Sequence, residues 1–85
     1  MKGLEEINEE NWRKEKEEFG KKIGKIIRDA RLAKGLTQEE VTSKAGFYRT
    51  YIGLIENGKY SPSVFTVWRI AKAMDMSLSE LLRDL

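Results

Sequence analysis

The sequence contains no cysteine, no histidine and a single proline among its 85 residues. Without cysteine there is no disulfide framework, so nothing indicates a secreted protein. Because zinc sites are built mainly from cysteine and histidine, we expect no metal site. The chain also offers no nucleophile–base set, so we expect neither enzyme activity nor a cofactor.

Long hydrophobic runs are also absent, and the charged N-terminus lacks the apolar segment of a signal peptide. We therefore expect a cytoplasmic protein that makes no membrane contact. A chain of this length allows one domain with a modest core.

Charge is distributed unevenly along the chain. Residues 1–20 contain four Lys/Arg and seven Asp/Glu, a net charge of −3, whereas residues 21–85 contain twelve and seven, a net charge of +5. A basic surface is what phosphate binding requires, although mixed charge also serves simply to keep a surface soluble.

Apolar residues recur every three or four positions and no strand pattern is present, so the sequence predicts an all-α protein. Capping boxes are expected where Thr37 is followed by Glu40 and Ser77 by Glu80. Helices are expected at about residues 19–34, 38–45, 48–57, 64–74 and 78–83.

A charged extension, residues 1–18, precedes the domain formed by residues 19–85. Trp12 and Phe19 continue the apolar stripe of the first helix toward the N-terminus, which favours a helix from about Asn11 preceded by disorder. The high charge of this segment fits a partly ordered tail equally well.

The second and third predicted helices are separated by Gly46, and the third ends at Asn57 and Gly58. Glycine reverses the chain at such points because it adopts positive φ without steric cost. Two short helices hinged in this way form the helix-turn-helix pattern, in which the second helix enters the DNA major groove.

Residues 21–85 resemble the Cro and phage-repressor type of helix-turn-helix domain, also called XRE-type. The segments that carry the resemblance are residues 23–28, 34–41, 51–52, 55–59, 61–63, 70–74 and 77–82. Residues 49–53 are similar, more narrowly, to controller proteins of restriction–modification systems. The resemblance implies a compact five-helix, lambda-repressor-like domain. Thr42 stands where the family usually has alanine, and its hydroxyl would need a partner if the helices press together there.

The resemblance implies that the start of the second motif helix faces the bases. The residues expected to contact bases are Tyr48, Arg49, Thr50 and Leu54. Arg49 is the strongest candidate because arginine donates two hydrogen bonds to guanine O6 and N7. Tyr48 either reaches the DNA or covers the turn, and Leu54 either touches a thymine methyl or makes no contact.

Phosphate contacts are expected at the beginning of the first motif helix and after the second. The residues are Gln38, Lys44, Asn57, Lys59 and Tyr60. Helix N-termini and basic side chains both attract phosphate. The alternative for each is an ordinary exposed side chain, and Asn57 also caps its helix.

The resemblance further implies an ion pair between Arg31 and Glu56 that fixes the second motif helix against the first helix of the domain. Phe65 and Trp68 are expected on the outer face of the fourth helix, with Leu82 and Leu85 as neighbours. Such an aromatic pair is typical of a homodimer interface. Alternatively, Trp12 covers it within one chain.

We therefore expect a sequence-specific, DNA-binding transcriptional regulator that binds a near-palindromic operator in double-stranded DNA as a homodimer. Restriction–modification controller, antitoxin and phage repressor all remain open within this class. A protein-interaction adaptor that binds its partner through Phe65 and Trp68 is the alternative on the same fold. No small-molecule cofactor is expected.

Overall fold

The computed structural model describes residues 8–85, and all regular structure in that range is helical. The helices are α1 (Glu9–Ala33), α2 (Gln38–Ala45), α3 (Tyr51–Glu56), α4 (Val64–Ala73) and α5 (Leu78–Leu81). The predicted all-α, five-helix architecture is confirmed. What was expected of residues 1–7 lies outside the described residues.

Side-chain caps begin every one of these helices except α3. The capping residues are Asn8, Thr37, Ser63 and Ser77. Both expected capping boxes are present, since the carboxylates of Glu40 and Glu80 each accept a hydrogen bond from the backbone N–H of their capping residue. These caps satisfy N–H groups that have no partner inside the helix, and they set where each helix begins.

Three helix boundaries differ by two or more residues from those expected. α1 begins at Glu9, two residues before Asn11, because the Asn8 side chain accepts a hydrogen bond from the Asn11 N–H at 3.0 Å. α3 begins at Tyr51 rather than Tyr48, because the chain continues in a turn after Gly46. α5 ends at Leu81 rather than near residue 83.

The core is formed by the apolar faces of all five helices. Its buried members are Ile23, Ile27, Val41, Ile52, Ile55, Val67, Ile70, Ala71, Met74 and Leu81. α1 packs on α3, and α4 packs on α2 and α5. Thr42 is also buried, and its hydroxyl has no hydrogen-bond partner within residues 8–85. The helices do press together at Thr42, but the partner that its buried hydroxyl would need is not supplied by residues 8–85.

α1 and α3 approach each other most closely at Gly24. A methyl group at this position would collide with the carbonyl oxygen of Ile55 and come within 2.7 Å of that of Glu56. Glycine weakens a helix interior by about 1 kcal/mol relative to alanine. The close contact between the backbone of α1 at Gly24 and the end of α3 explains why glycine occupies this position.

Candidate nucleic-acid interface

An open groove runs between the beginning of α2 and the outer face of α3. Its lining residues are Thr37, Gln38, Glu39, Arg49, Thr50, Gly53, Leu54 and Asn57. The groove thus contains three of the four expected base-contacting residues and two of the five expected phosphate-contacting residues. It lies on the two helices that form the helix-turn-helix motif.

Arg49 and Thr50 lie in the turn before α3 rather than in its first turn, which corrects the expected helix start. Thr50 is the N-cap, but its side chain makes no capping hydrogen bond. The turn is closed instead by the N–H of Tyr51, which donates to the carbonyl of Tyr48 at 3.1 Å. Tyr48, Arg49 and Thr50 are all exposed.

An aromatic cluster borders this turn. The ring of Tyr51 lies 5.1 Å from that of Tyr48 and 5.8 Å from that of Tyr60, measured between centroids. Partial desolvation among these rings, together with the neighbouring Tyr60 hydroxyl, raises the pKa of Tyr48. The phenol of Tyr48 is exposed and can both donate and accept a hydrogen bond.

A hydrogen-bond network joins α1, α2 and α3 behind the groove. Arg31 Nε donates to Glu56 Oε2 at 2.7 Å, and Arg31 Nη2 donates to Glu56 Oε1 at 3.0 Å. Arg31 also donates to the Leu36 carbonyl at 2.8 Å. The hydrogen bond with Glu56 raises the pKa of Arg31. Their side chains are only 10% and 3% exposed, so this is a buried pair.

Gln38 belongs to the same network, which the sequence did not reveal. Its amide Nε2 donates to Glu56 Oε1 at 3.0 Å, and its Oε1 lies beside Gly53. One N–H of this amide is thus used inside the protein, and the amide has a second N–H donor. The network fixes the side chain at the edge of the groove.

The remaining expected phosphate contacts do not all lie together. Lys59 and Tyr60 are exposed in the segment after α3, next to the left-handed Gly58. Lys44, by contrast, lies at the far end of α2, where it lines a separate groove with Trp68, Arg69 and Lys72.

Phe65 and Trp68 form an exposed, stacked pair on α4. Their ring centroids are 5.7 Å apart, and the side chains are 61% and 42% exposed. Trp12 is itself 59% exposed, so it does not cover them within one chain. Val64, one turn before Trp68, is 73% exposed and adds to this surface. We call Val64, Phe65 and Trp68 the aromatic patch.

The expected neighbours of the aromatic patch differ in exposure, because Leu85 is exposed whereas Leu82 is half-buried against the core. Across residues 8–85, none of the helices combines the length and hydropathy needed to cross a bilayer. The same residues contain no group of three or more Asp, Glu, His or Cys side chains placed to hold a metal ion.

A helix-turn-helix family model matches residues 27–81 of the chain. The 10 kDa protein of the ImmF control region of Bacillus phage phi105 is 45% identical over 62 residues, which cover 73% of this chain and 69% of the phage protein. The uncharacterized HTH-type transcriptional regulator y4dJ of Sinorhizobium fredii is 39% identical over 62 residues, which cover 73% of this chain and 80% of y4dJ.

Among solved structures, the chain is similar to the restriction-modification controller protein C.AhdI from Aeromonas hydrophila. The two superpose with a TM-score of 0.72 at 34% sequence identity, over 76% of this chain and 94% of C.AhdI. The similarity therefore extends over nearly the whole of that protein.

Proposed function

The chain belongs to the XRE-type (Cro/phage-repressor) helix-turn-helix family, and we propose that it is a sequence-specific DNA-binding regulator of transcription that acts as a homodimer on a near-palindromic operator. The observation that carries this proposal is the groove along α3. Gln38, Arg49 and Asn57 line it together, next to a short helix that is fixed to the domain from behind.

The side chains of the groove divide into base readers and backbone contacts. Arg49 has the donors to read guanine, and Thr50 can contact a neighbouring base. Gly53 has no side chain and Leu54 has no donor, so α3 makes few direct hydrogen bonds to bases. Part of the discrimination therefore depends on the shape and deformability of the DNA. Lys59 neutralises a phosphate beside the groove.

The aromatic patch supports pairing with a second copy of the chain. Stacked aromatic rings exposed on one helix face are an unusual surface for a monomer and typical of a protein–protein contact. A two-fold axis at this surface would present two copies of α3 to the same face of the DNA, about 34–36 Å apart in successive major grooves. The expected operator is therefore near-palindromic.

Control of a restriction–modification operon is the narrower form of this function, favoured by the match to 94% of the controller C.AhdI. The phage phi105 relative favours instead a regulator in a phage control region. In either case the protein is a cytoplasmic DNA-binding protein and not an enzyme.

The proposal is tested by selecting bound sequences from random duplex DNA while measuring the stoichiometry of the complex. We expect a two-fold symmetric site occupied by two chains. Trp68→Glu should sediment as a monomer and lose cooperative binding. A protein with no salt-dependent affinity for duplex DNA would instead be an adaptor, and a Trp68→Glu variant that still pairs would place the interface elsewhere.

Two substitutions then separate base reading from phosphate contact. Arg49→Ala should cost about 1–3 kcal/mol on the selected site and relax the base preference at one position of each half-site. Lys59→Ala should weaken all duplex sequences alike and lower the slope of log affinity against log salt by about one per subunit. An equal loss for every sequence in Arg49→Ala would reduce Arg49 to a backbone contact.

A further inference from the structure

Two backbone carbonyls at the end of α2 accept hydrogen bonds from a different helix. Gly46 adopts φ of 75°, and the N–H groups of Gly46 and Phe47 both donate a hydrogen bond to the carbonyl of Thr42. This leaves the carbonyls of Ala45 and Gly46 for partners outside α2. Arg69 of α4 is the partner of both, since its Nη2 donates to the carbonyl of Ala45 and, at 3.4 Å, to that of Gly46. A cation is also electrostatically favoured at a helix C-terminus.

The Arg69 guanidinium also contacts Phe47, the residue that follows Gly46. It lies 4.2 Å above the ring of Phe47, and that ring meets Tyr51 edge-on with centroids 4.9 Å apart. Phe47 and Tyr51 stand on either side of the three exposed residues 48–50. Because Thr50 forms no side-chain cap for α3, these ring contacts and Arg69 hold the turn in place.

On its other side Arg69 borders the aromatic patch. Its guanidinium carbon is 5.9 Å from the ring of Phe65, which in turn stacks on Trp68. One side chain thus touches both the turn that faces the groove and the surface where a second copy is expected to bind.

We propose that Arg69 is a positioning residue for DNA recognition, which fixes the turn carrying Tyr48, Arg49 and Thr50 and links it to the aromatic patch. This inference rests on the proposed DNA-binding function. Arg69 itself makes no base or phosphate contact. It acts by holding Tyr48, Arg49 and Thr50 in one conformation, so that their orientation is already fixed in the free protein before it binds DNA.

The first test measures DNA binding by Arg69→Met, with Arg28→Met, which removes an exposed arginine of α1, as the matched control. Arg69→Met should lose about tenfold in affinity for the selected site, the size of one misplaced base contact. Its affinity for unrelated duplex DNA and its salt dependence should match those of the control. A salt slope lower than the control's by about one per subunit would overturn the proposal, because Arg69 would then be a phosphate contact.

Arg69→Lys distinguishes the role of the guanidinium shape from that of its positive charge. It also takes the place of the methionine variant if that variant does not fold. Lysine keeps the positive charge but lacks the planar guanidinium, which stacks on the Phe47 ring while its Nη2 donates to the carbonyls of Ala45 and Gly46. We expect the lysine variant to lose site discrimination as well. Discrimination equal to that of the parent protein would show that only charge is needed at this position and would overturn the proposal.

Amide hydrogen exchange of the free protein tests the positioning role without DNA. The hydrogen-bonded amides of Gly46, Phe47 and Tyr51 should exchange faster in the Arg69 variants, while those of α1 should remain protected as in the Arg28 control. Unchanged exchange at these three amides would refute the positioning role even if the protein binds DNA. Failure of the parent protein to bind duplex DNA would refute the proposed function and, with it, the assignment of Arg69 to DNA recognition.

Discussion

Gly24→Ala should be one of the most damaging conservative changes in this chain, whereas Gly20→Ala should be harmless. Both glycines lie inside α1, where alanine is normally the better residue. At Gly20 an added methyl group would lie 3.7 Å from the Tyr60 carbonyl oxygen, an ordinary contact. At Gly24 it would strike the backbone of Ile55 and Glu56, which cannot rotate away as a side chain could.

The expected size of the effect follows from two opposing terms. Alanine stabilises a helix interior by about 0.5–1 kcal/mol relative to glycine. Overpacking of a tight contact typically costs about 1–3 kcal/mol, and a clash with backbone lies toward the upper end. We therefore expect Gly24→Ala to lower the free energy of unfolding by about 2 kcal/mol. For a domain of this size that corresponds to a melting temperature lower by roughly 8–16 °C.

Thermal and urea unfolding, followed by circular dichroism, provide the measurement. Gly20→Ala is the matched control and should raise the melting temperature by a few degrees, since it gains helix propensity without a clash. Gly24→Ala should also weaken DNA binding, because separation of α1 from α3 strains the Arg31–Glu56 pair. If both alanine variants are equally stabilised, the close approach of α1 and α3 is not present in solution.

Three further predictions concern stability. Arg31→Ala and Glu56→Ala should each lower the free energy of unfolding by about 3–5 kcal/mol, because each leaves the other charge buried without its partner; unchanged thermal unfolding would mean that the pair is exposed in solution. Thr42→Val replaces an unpartnered buried hydroxyl with a methyl group and should raise the free energy of unfolding by about 1 kcal/mol; a destabilised valine variant would show that the hydroxyl has a partner. Backbone N–H donors lower the pKa of Glu40 and Glu80 in the folded state, so their contribution is present above the unfolded pKa of about 4.3 and is lost as pH falls below it. Replacing both by glutamine, which keeps the neutral hydrogen bonds, should flatten the fall in melting temperature between about pH 5 and pH 3; an identical fall in parent and variant would assign acid sensitivity to other groups.

Most of the fold could be predicted from the sequence alone, because it depends on interactions between residues that are close together in the chain. A serine or threonine followed three residues later by glutamate defines a helix start through contacts among neighbours, so the starts of α2 and α5 were correctly placed. Periodic apolar residues likewise identified the buried face of α4, because a helix repeats its faces every few residues. The family, and hence the pairing of Arg31 with Glu56, followed from motifs that are also short and contiguous.

The candidate site depended on contacts between residues far apart in the sequence. α3 starts three residues later than expected, after a turn whose beginning at the end of α2 is contacted by Arg69, more than twenty residues along the chain. Gln38 is tied to Glu56 by the packing of α2 on α3, and the need for glycine at position 24 arises only where α1 meets the end of α3. The sequence by itself determined the number of helices, the capping boxes of α2 and α5 and the family, because those depend on neighbouring residues. Only the tertiary structure decided how the turn is held and which side chains share the groove, because those depend on how the helices pack.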